Sequence, residues 1–251
     1  MIELKGLTKK FGELVAVDNL NLTIGRGEFF AVLGPNAAGK TTTIKILAGL
    51  MKPTAGSASI AGHDVQRQPL EAKRRLAYVP DFPFLYDKLT PWEFLRFTGQ
   101  LFHLTEERIQ MAGRALIARF HLADYAHRSL EGLSHGTRQR VAIASALLHD
   151  PEVFIIDEPM VGLDPQHARI VKDVLKERSL AGMTVLVSTH QLEIAEEMAD
   201  RIGIIHNGKL IALGTREELR RQSGRSGQLE EVFLALTNGT EEADGAVGKA
   251  G

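Results

Sequence analysis

An α/β fold, with a mostly parallel sheet, an antiparallel β subdomain and an inserted helical subdomain, is predicted by three observations. Short buried-type runs at 29–33, 153–156 and 184–188 alternate with helical patterns, and that alternation implies parallel strands joined by helices. Two alternating stretches, 2–8 and 14–24, meet at Gly12 near the start of the chain and read as paired strands outside that sheet. Seven of the fifteen aromatic residues fall between Phe82 and Phe102, and helical spacing then persists to about Leu148. The expected division is an α/β core with its β subdomain at 1–82 and 151–236, a helical subdomain at 83–150, and a disordered tail at 237–251, where apolar residues become scarce.

Each element has a local reason. Val15, Val17, Leu20, Leu22 and Ile24 alternate along the second strand, and Gly25-Arg26-Gly27 turns the chain into Phe29–Leu33. A helix follows from about Thr41 to Leu50, closed by Lys52-Pro53 and Gly56. Residues 57–60 and 76–79 read as further short strands. Thr90-Pro91-Trp92-Glu93 is a capping box with proline at the first helical position, and Thr105-Glu106 opens a second helix through Ile109, Ala112, Leu116, Ile117 and Phe120. Pro151 ends the helical stretch. Helices are expected at 166–180 and 191–199, and Asn207-Gly208 joins 202–206 to 209–213 as a hairpin.

Composition narrows the function classes. The 251 residues carry 30 Lys and Arg against 31 Asp and Glu, a formal charge of -1, so no global basic field advertises nucleic acid or anionic lipid. With no cysteine there is no disulfide and no thiolate metal site. The nine histidines include no pair at the helical spacing that holds zinc. Neither a signal peptide nor a membrane span is recognisable, and any membrane role is expected to come through a partner.

Gly34-Pro35-Asn36-Ala37-Ala38-Gly39-Lys40-Thr41-Thr42 stands between a strand and a helix start and matches G-x-x-x-x-G-K-[ST] in full. A Gly-rich turn at that junction aims successive backbone N–H groups and a helix N-terminus at one anion, so this is a phosphate loop, Walker A, and the core is of the P-loop NTPase kind. In the template Lys40 reaches the β/γ-phosphates and the Thr41 hydroxyl ligates Mg²⁺. A second acidic ligand usually comes from the end of another buried strand, where Asp157 stands, and Glu158 beside it is placed to polarise a water for attack on the γ-phosphate.

Leu133-Ser134-His135-Gly136-Thr137-Arg138-Gln139-Arg140 resembles the signature motif of ATP-binding cassette (ABC) proteins. Asp157-Glu158-Pro159, Gly162-Leu163-Asp164 and Ser188-Thr189-His190 follow in that family's order, and the resemblance covers about residues 2–235. It implies that ATP and Mg²⁺ are the ligands and that Phe11 stacks on adenine; from the residues alone, Phe11 reads equally as core of the first hairpin. It also implies that Asp157 and Glu158 are the metal ligand and catalytic base of Walker B, and that His190 contacts the γ-phosphate. Asp164 would couple two opposed sites. Ser134 and the amide of Gly136 would face the γ-phosphate held by the second cassette of a head-to-tail pair, identical or related.

The sequence departs from the family pattern at four places. Ala37 replaces a common glycine, and would cost about 1–2 kcal/mol if that residue needs positive φ. His135 and Thr137 replace a glycine and a glutamine. Asp81 stands where the family has a glutamine that offers oxygen to Mg²⁺ or water; it could ligate the metal, with its charge balanced there, or turn away on closure. Phe84, Leu85, Tyr86 and Trp92 are the expected contacts for a separate transmembrane permease, with a subdomain core as their other reading. The resemblance thus implies the ATPase subunit of a transporter of the export type, peripheral at the cytoplasmic face of the membrane, with no nucleic acid partner. Two alternatives are a soluble ABC ATPase acting on DNA or ribosomes, and a nucleotide-gated module that scarcely hydrolyses.

Overall fold

The computed structural model of the chain describes residues 1–223 together with 230, 231, 233 and 234. The tail expected at 237–251 lies outside them. Strands β1 (Ile2–Phe11) and β2 (Leu14–Ile24) form a hairpin, then β3 (Phe29–Leu33) runs into helix α1 (Lys40–Leu47). Next come β4 (Ala55–Ile60), β5 (His63–Asp64), α2 (Pro69–Arg75) and β6 (Leu76–Val79). Three helices follow, α3 (Pro91–Leu101), α4 (Glu106–Arg119) and α5 (His135–Leu147), with single 3-10 turns at Ala123–Tyr125 and Leu130–Gly132. The chain continues through β7 (Val153–Asp157), α6 (Pro165–Leu180), β8 (Thr184–Thr189), α7 (Leu192–Met198), β9 (Arg201–His206), β10 (Lys209–Gly214) and α8 (Arg216–Ser223).

Two sheets result. The first has order β2-β1-β4-β5 and is antiparallel throughout. The second has order β10-β9-β3-β8-β7-β6, parallel except for the β9–β10 hairpin at its edge. Every residue of β3, β7 and β8 is buried, as expected for strands covered on both faces. One apolar cluster joins Phe154, Ile156, Val185 and Val187 of the parallel sheet to α3, α4 and α5, while another joins Phe30, Val32 and Ile155 to α1 and the antiparallel sheet.

Helix starts follow their caps. The Thr90 hydroxyl accepts from Glu93 N, and the Glu93 carboxylate accepts from Thr90 N at 2.8 Å, which completes the capping box of α3. Thr105, Ser134 and Asp164 cap α4, α5 and α6 with a single side-chain acceptor each, for the N–H of Arg108, Thr137 and His167. Where α3 meets α4, a Cβ on Gly99 would lie 2.6 Å from Ile109, so the close helix contact depends on that glycine. Two expectations change. Helix α1 ends at Leu47 rather than Leu50, because Gly49 at φ +66° leaves the helix. The aromatic group after Asp81 divides: Leu85 and Trp92 pack on the core, whereas Phe84 is 91% exposed and Tyr86 stands outside, edge-on to Phe97.

Candidate nucleotide site

Parallel strands deliver their C-terminal ends to one edge, and the phosphate loop, Asp81, Asp157, Glu158 and His190 leave from there. Leu33 pairs with Thr189, Asp157 with Ser188 and Val79 with Ile156, so the loop after β3, the end of β7, the end of β8 and the segment after β6 converge.

The loop after β3 is shaped by close approach. A Cβ on Gly34 would lie 2.3 Å from the Ile205 carbonyl oxygen, and one on Gly39 2.4 Å from that of Ala16. Gly39 has φ +106°, which favours glycine. Ala37 sits at φ +64°, so the condition for its strain is met. Asn36, Ala37, Ala38, Gly39, Lys40, Thr41 and Thr42 line a cavity of about 230 Å³ together with Ala16, Asp81, Asp157 and Glu158. The loop is tied to itself: Lys40 Nζ donates to the carbonyls of Gly34 at 2.6 Å and Pro35 at 3.0 Å. Burial lowers the Lys40 pKa, against the opposing pull of Glu158 and Asp157.

Across the cavity the Thr41 hydroxyl donates to Asp157 Oδ2 at 2.9 Å, and Asp157 is only 3% exposed. Asp81 joins them. It lines the same cavity, and burial raises its pKa, with further upward pushes from Asp157 and Glu158. Thr41 Oγ1 and Asp157, hydrogen-bonded to each other on the cavity wall, are hard oxygen donors of the kind that Mg²⁺ takes.

Glu158 is held on every side. Its backbone has φ +48°, a strained value of the kind that clusters at functional sites, and its N–H donates to the Ser188 carbonyl at 2.8 Å. Oε1 accepts from His190 N at 3.0 Å and lies 2.7 Å from His190 Nδ1, while Oε2 accepts from the Thr189 hydroxyl at 3.1 Å. His190 itself is exposed beside the cavity. Thr189 was visible in sequence only as part of a motif; its bond to Glu158 needs β7 and β8 side by side.

The other candidates lie apart. Phe11 is 46% exposed, which removes the hairpin-core reading, and its ring carries Lys9 Nζ at 5.0 Å; the cavity reaches its hairpin at Ala16 instead. Ser134 caps α5, and a Cβ on Gly136 would lie 2.6 Å from the Gly162 carbonyl oxygen. Asp164 accepts from His167 N at 3.0 Å as the cap of α6. None of these four lines the phosphate cavity.

The ABC transporter family model matches residues 17–161. The chain belongs to the ATP-binding cassette family. The cassette is 37% identical to the daunorubicin resistance ATP-binding protein DrrA3 of Streptomyces coeruleorubidus, over 97% of its own length and 80% of the relative's. It superposes on the solved structure of an ATP-binding subunit of an ABC transporter with TM-score 0.90 at 35% identity, covering 94% of the cassette and 99% of that chain. A dimeric, post-hydrolysis state of the cassette MJ0796 bound to ADP and Pi is similar at TM-score 0.79 and 29% identity, covering 86% of the cassette and 98% of that chain.

Proposed function

We propose that the cassette hydrolyses ATP in head-to-tail pairs and thereby drives a separate membrane permease. The observation that carries this is a division of labour. The phosphate cavity gathers Lys40, Thr41, Asp157 and Glu158, while Ser134 and Gly136, at the N-terminus of α5, stand outside it. An anion-binding helix end outside the cavity completes a site only when a second cassette brings its own. In this assignment, residues 83–150 are the unit that presents the signature end, and the rest of the described chain holds the nucleotide.

Within the site, backbone N–H groups of 36–41 and the N-terminus of α1 hold the phosphates, and Lys40 exchanges its carbonyl partners for phosphate oxygens. Thr41, Asp157 and Asp81 would hold Mg²⁺, which supplies charge neutralisation at the phosphates. Phe11 stacks on the adenine. Glu158 accepts a proton from water as the water oxygen bonds to the γ-phosphorus and the bond to the β–γ bridging oxygen breaks, giving ADP and phosphate. Thr189 and His190 keep the carboxylate aimed, and in the closed pair His190 contacts the γ-phosphate. Asp164, from the loop beside Gly136, couples the two sites.

No helix among the described residues is long and apolar enough to cross a membrane. In this assignment the permease holds the cassette at the cytoplasmic face. Exposed Phe84 and Tyr86 are the contacts we assign to that partner. DrrA3 is named for daunorubicin resistance, and export is the direction we assign to test first. Glu158→Gln should bind ATP yet not turn it over, and should accumulate an ATP-bound dimer in light scattering; a variant that stays monomeric with ATP bound overturns the paired mechanism. Affinity capture from gently solubilised membranes should return a polytopic membrane protein, and ribosomes or DNA in its place would overturn the transporter assignment.

A further inference from the structure

The first turns of α5 contain hydrogen bonds whose directions are fixed by chemistry. Arg140 is buried, and a guanidinium can only donate. Its Nη1 donates to the carbonyls of Phe120 at 2.7 Å and His121 at 3.1 Å, its Nε to that of Gly136 at 3.4 Å, and its Nη2 to Thr137 Oγ1 at 3.2 Å. Thr137 Oγ1 also lies 3.0 Å from Ser134 Oγ. The Thr137 side chain is 4% exposed, and among the described residues its hydroxyl finds no other partner. A buried donor without an acceptor is strongly unfavourable, whereas Ser134 is exposed and can turn its proton to solvent. Thr137 therefore donates to Ser134.

Ser134 Oγ accepts a second time, from Thr137 N at 3.3 Å. A hydroxyl has two lone pairs and one proton. With both pairs occupied, the Ser134 O–H has only outward directions left, over an open cleft lined by Arg128, Ser129, Gly132 and Thr137.

We infer that Thr137, oriented by the buried guanidinium of Arg140, is a positioning residue that makes the Ser134 hydroxyl an obligate donor to the phosphate presented by a second cassette. Thr137 stands where the family pattern has glutamine, so the device belongs to this chain's departure from that pattern. A charged donor at the far end polarises each hydroxyl in turn and strengthens the last bond of the series. The inference rests on the paired-cassette reading.

The test is the ATP-dependent dimer dissociation constant in the Glu158→Gln background, with ATP affinity of the monomer measured beside it. Thr137→Val keeps the volume and the backbone N–H but deletes the hydroxyl; it should weaken dimerisation roughly tenfold and leave monomer affinity unchanged. Thr137→Ser should restore the parent value, and Thr137→Val should add nothing once Ser134→Ala is present. Dimerisation unchanged by Thr137→Val but weakened by Ser134→Ala overturns the inference alone. Undiminished pairing by Ser134→Ala overturns the role of Ser134, and the inference with it. If Thr137→Val does not fold, Thr137→Ala makes the same deletion without a branched side chain and is read by the same outcomes.

Discussion

At Ala37 the backbone sits at φ +64°, where a side chain crowds its own carbonyl and glycine does not. Ala37→Gly removes that strain but gives the unfolded chain more freedom. The net gain should be about 0.5–1 kcal/mol in urea unfolding, with ATP affinity kept, because the loop's N–H directions are unchanged. A loss of stability would mean that the Ala37 methyl packs better than its strain costs. Asp81 gives a prediction in pH. A carboxyl whose folded pKa is raised opposes folding once ionised; that penalty is absent below its ordinary value of 3.8 and grows as pH rises through the raised folded value. Asp81→Asn should therefore unfold at higher urea than the parent at neutral pH and at the same urea in acid. Parallel curves would show that neither burial nor Asp157 and Glu158 raise the Asp81 pKa. At this scale the phosphate loop, Asp157 and Glu158 were legible because each lies in a contiguous motif beside an apolar strand. The Thr189–Glu158 bond and the direction of the Ser134–Thr137–Arg140 series were not, since strand order and burial decide them.

At the scale of elements, the β9–β10 turn braces the phosphate loop. Gly208 N donates to the Ala38 carbonyl at 3.0 Å, its own carbonyl accepts from Asp18 N at 2.9 Å, and its φ is +77°. A Cβ there would lie 3.0 Å from the Ala16 carbonyl oxygen, beneath the cavity. Gly62, in the β4–β5 turn, has φ +84° with nothing within 4 Å of a Cβ. Alanine at either position should destabilise by about 1–2 kcal/mol from backbone strain. Only Gly208→Ala should also weaken ATP binding in a nucleotide titration, and equal affinities for the two variants would show that the turn merely abuts the loop. The hairpin itself was readable from Asn207-Gly208, as α3 was from its capping box. Helices α2 and α8 were not, for a physical reason: α2 buries only Ala72 and Gln68 offers no side-chain cap, while in α8 the sequence REELRRQS contains a single apolar residue, Leu219. Such helices form because neighbouring β5, β6 and β10 hold them, not because their own periodicity declares them.

For the whole molecule, the parallel sheet fixes which groups can act on one phosphate. Its C-terminal edge brings together four segments separated by up to about 150 residues of chain, as the strand order requires. The α5 N-terminus is not among them, so one cassette holds half of each proposed site. This makes complementation the decisive experiment. Lys40→Ala removes the phosphate lysine and leaves the signature end intact; Ser134→Arg blocks the signature end and leaves the phosphate cavity intact. Each variant alone should lose ATP turnover, because every site in its homodimer contains the defect. Mixed, the two should form heterodimers in which one site joins an unaltered cavity to an unaltered signature end, and turnover should reappear in proportion to the heterodimer formed. Recovery requires that the two halves come from different copies. If the mixture stays as inactive as its components while heterodimers are recovered by capture on two different tags, then each cassette completes its own site, and the head-to-tail arrangement is wrong for this chain.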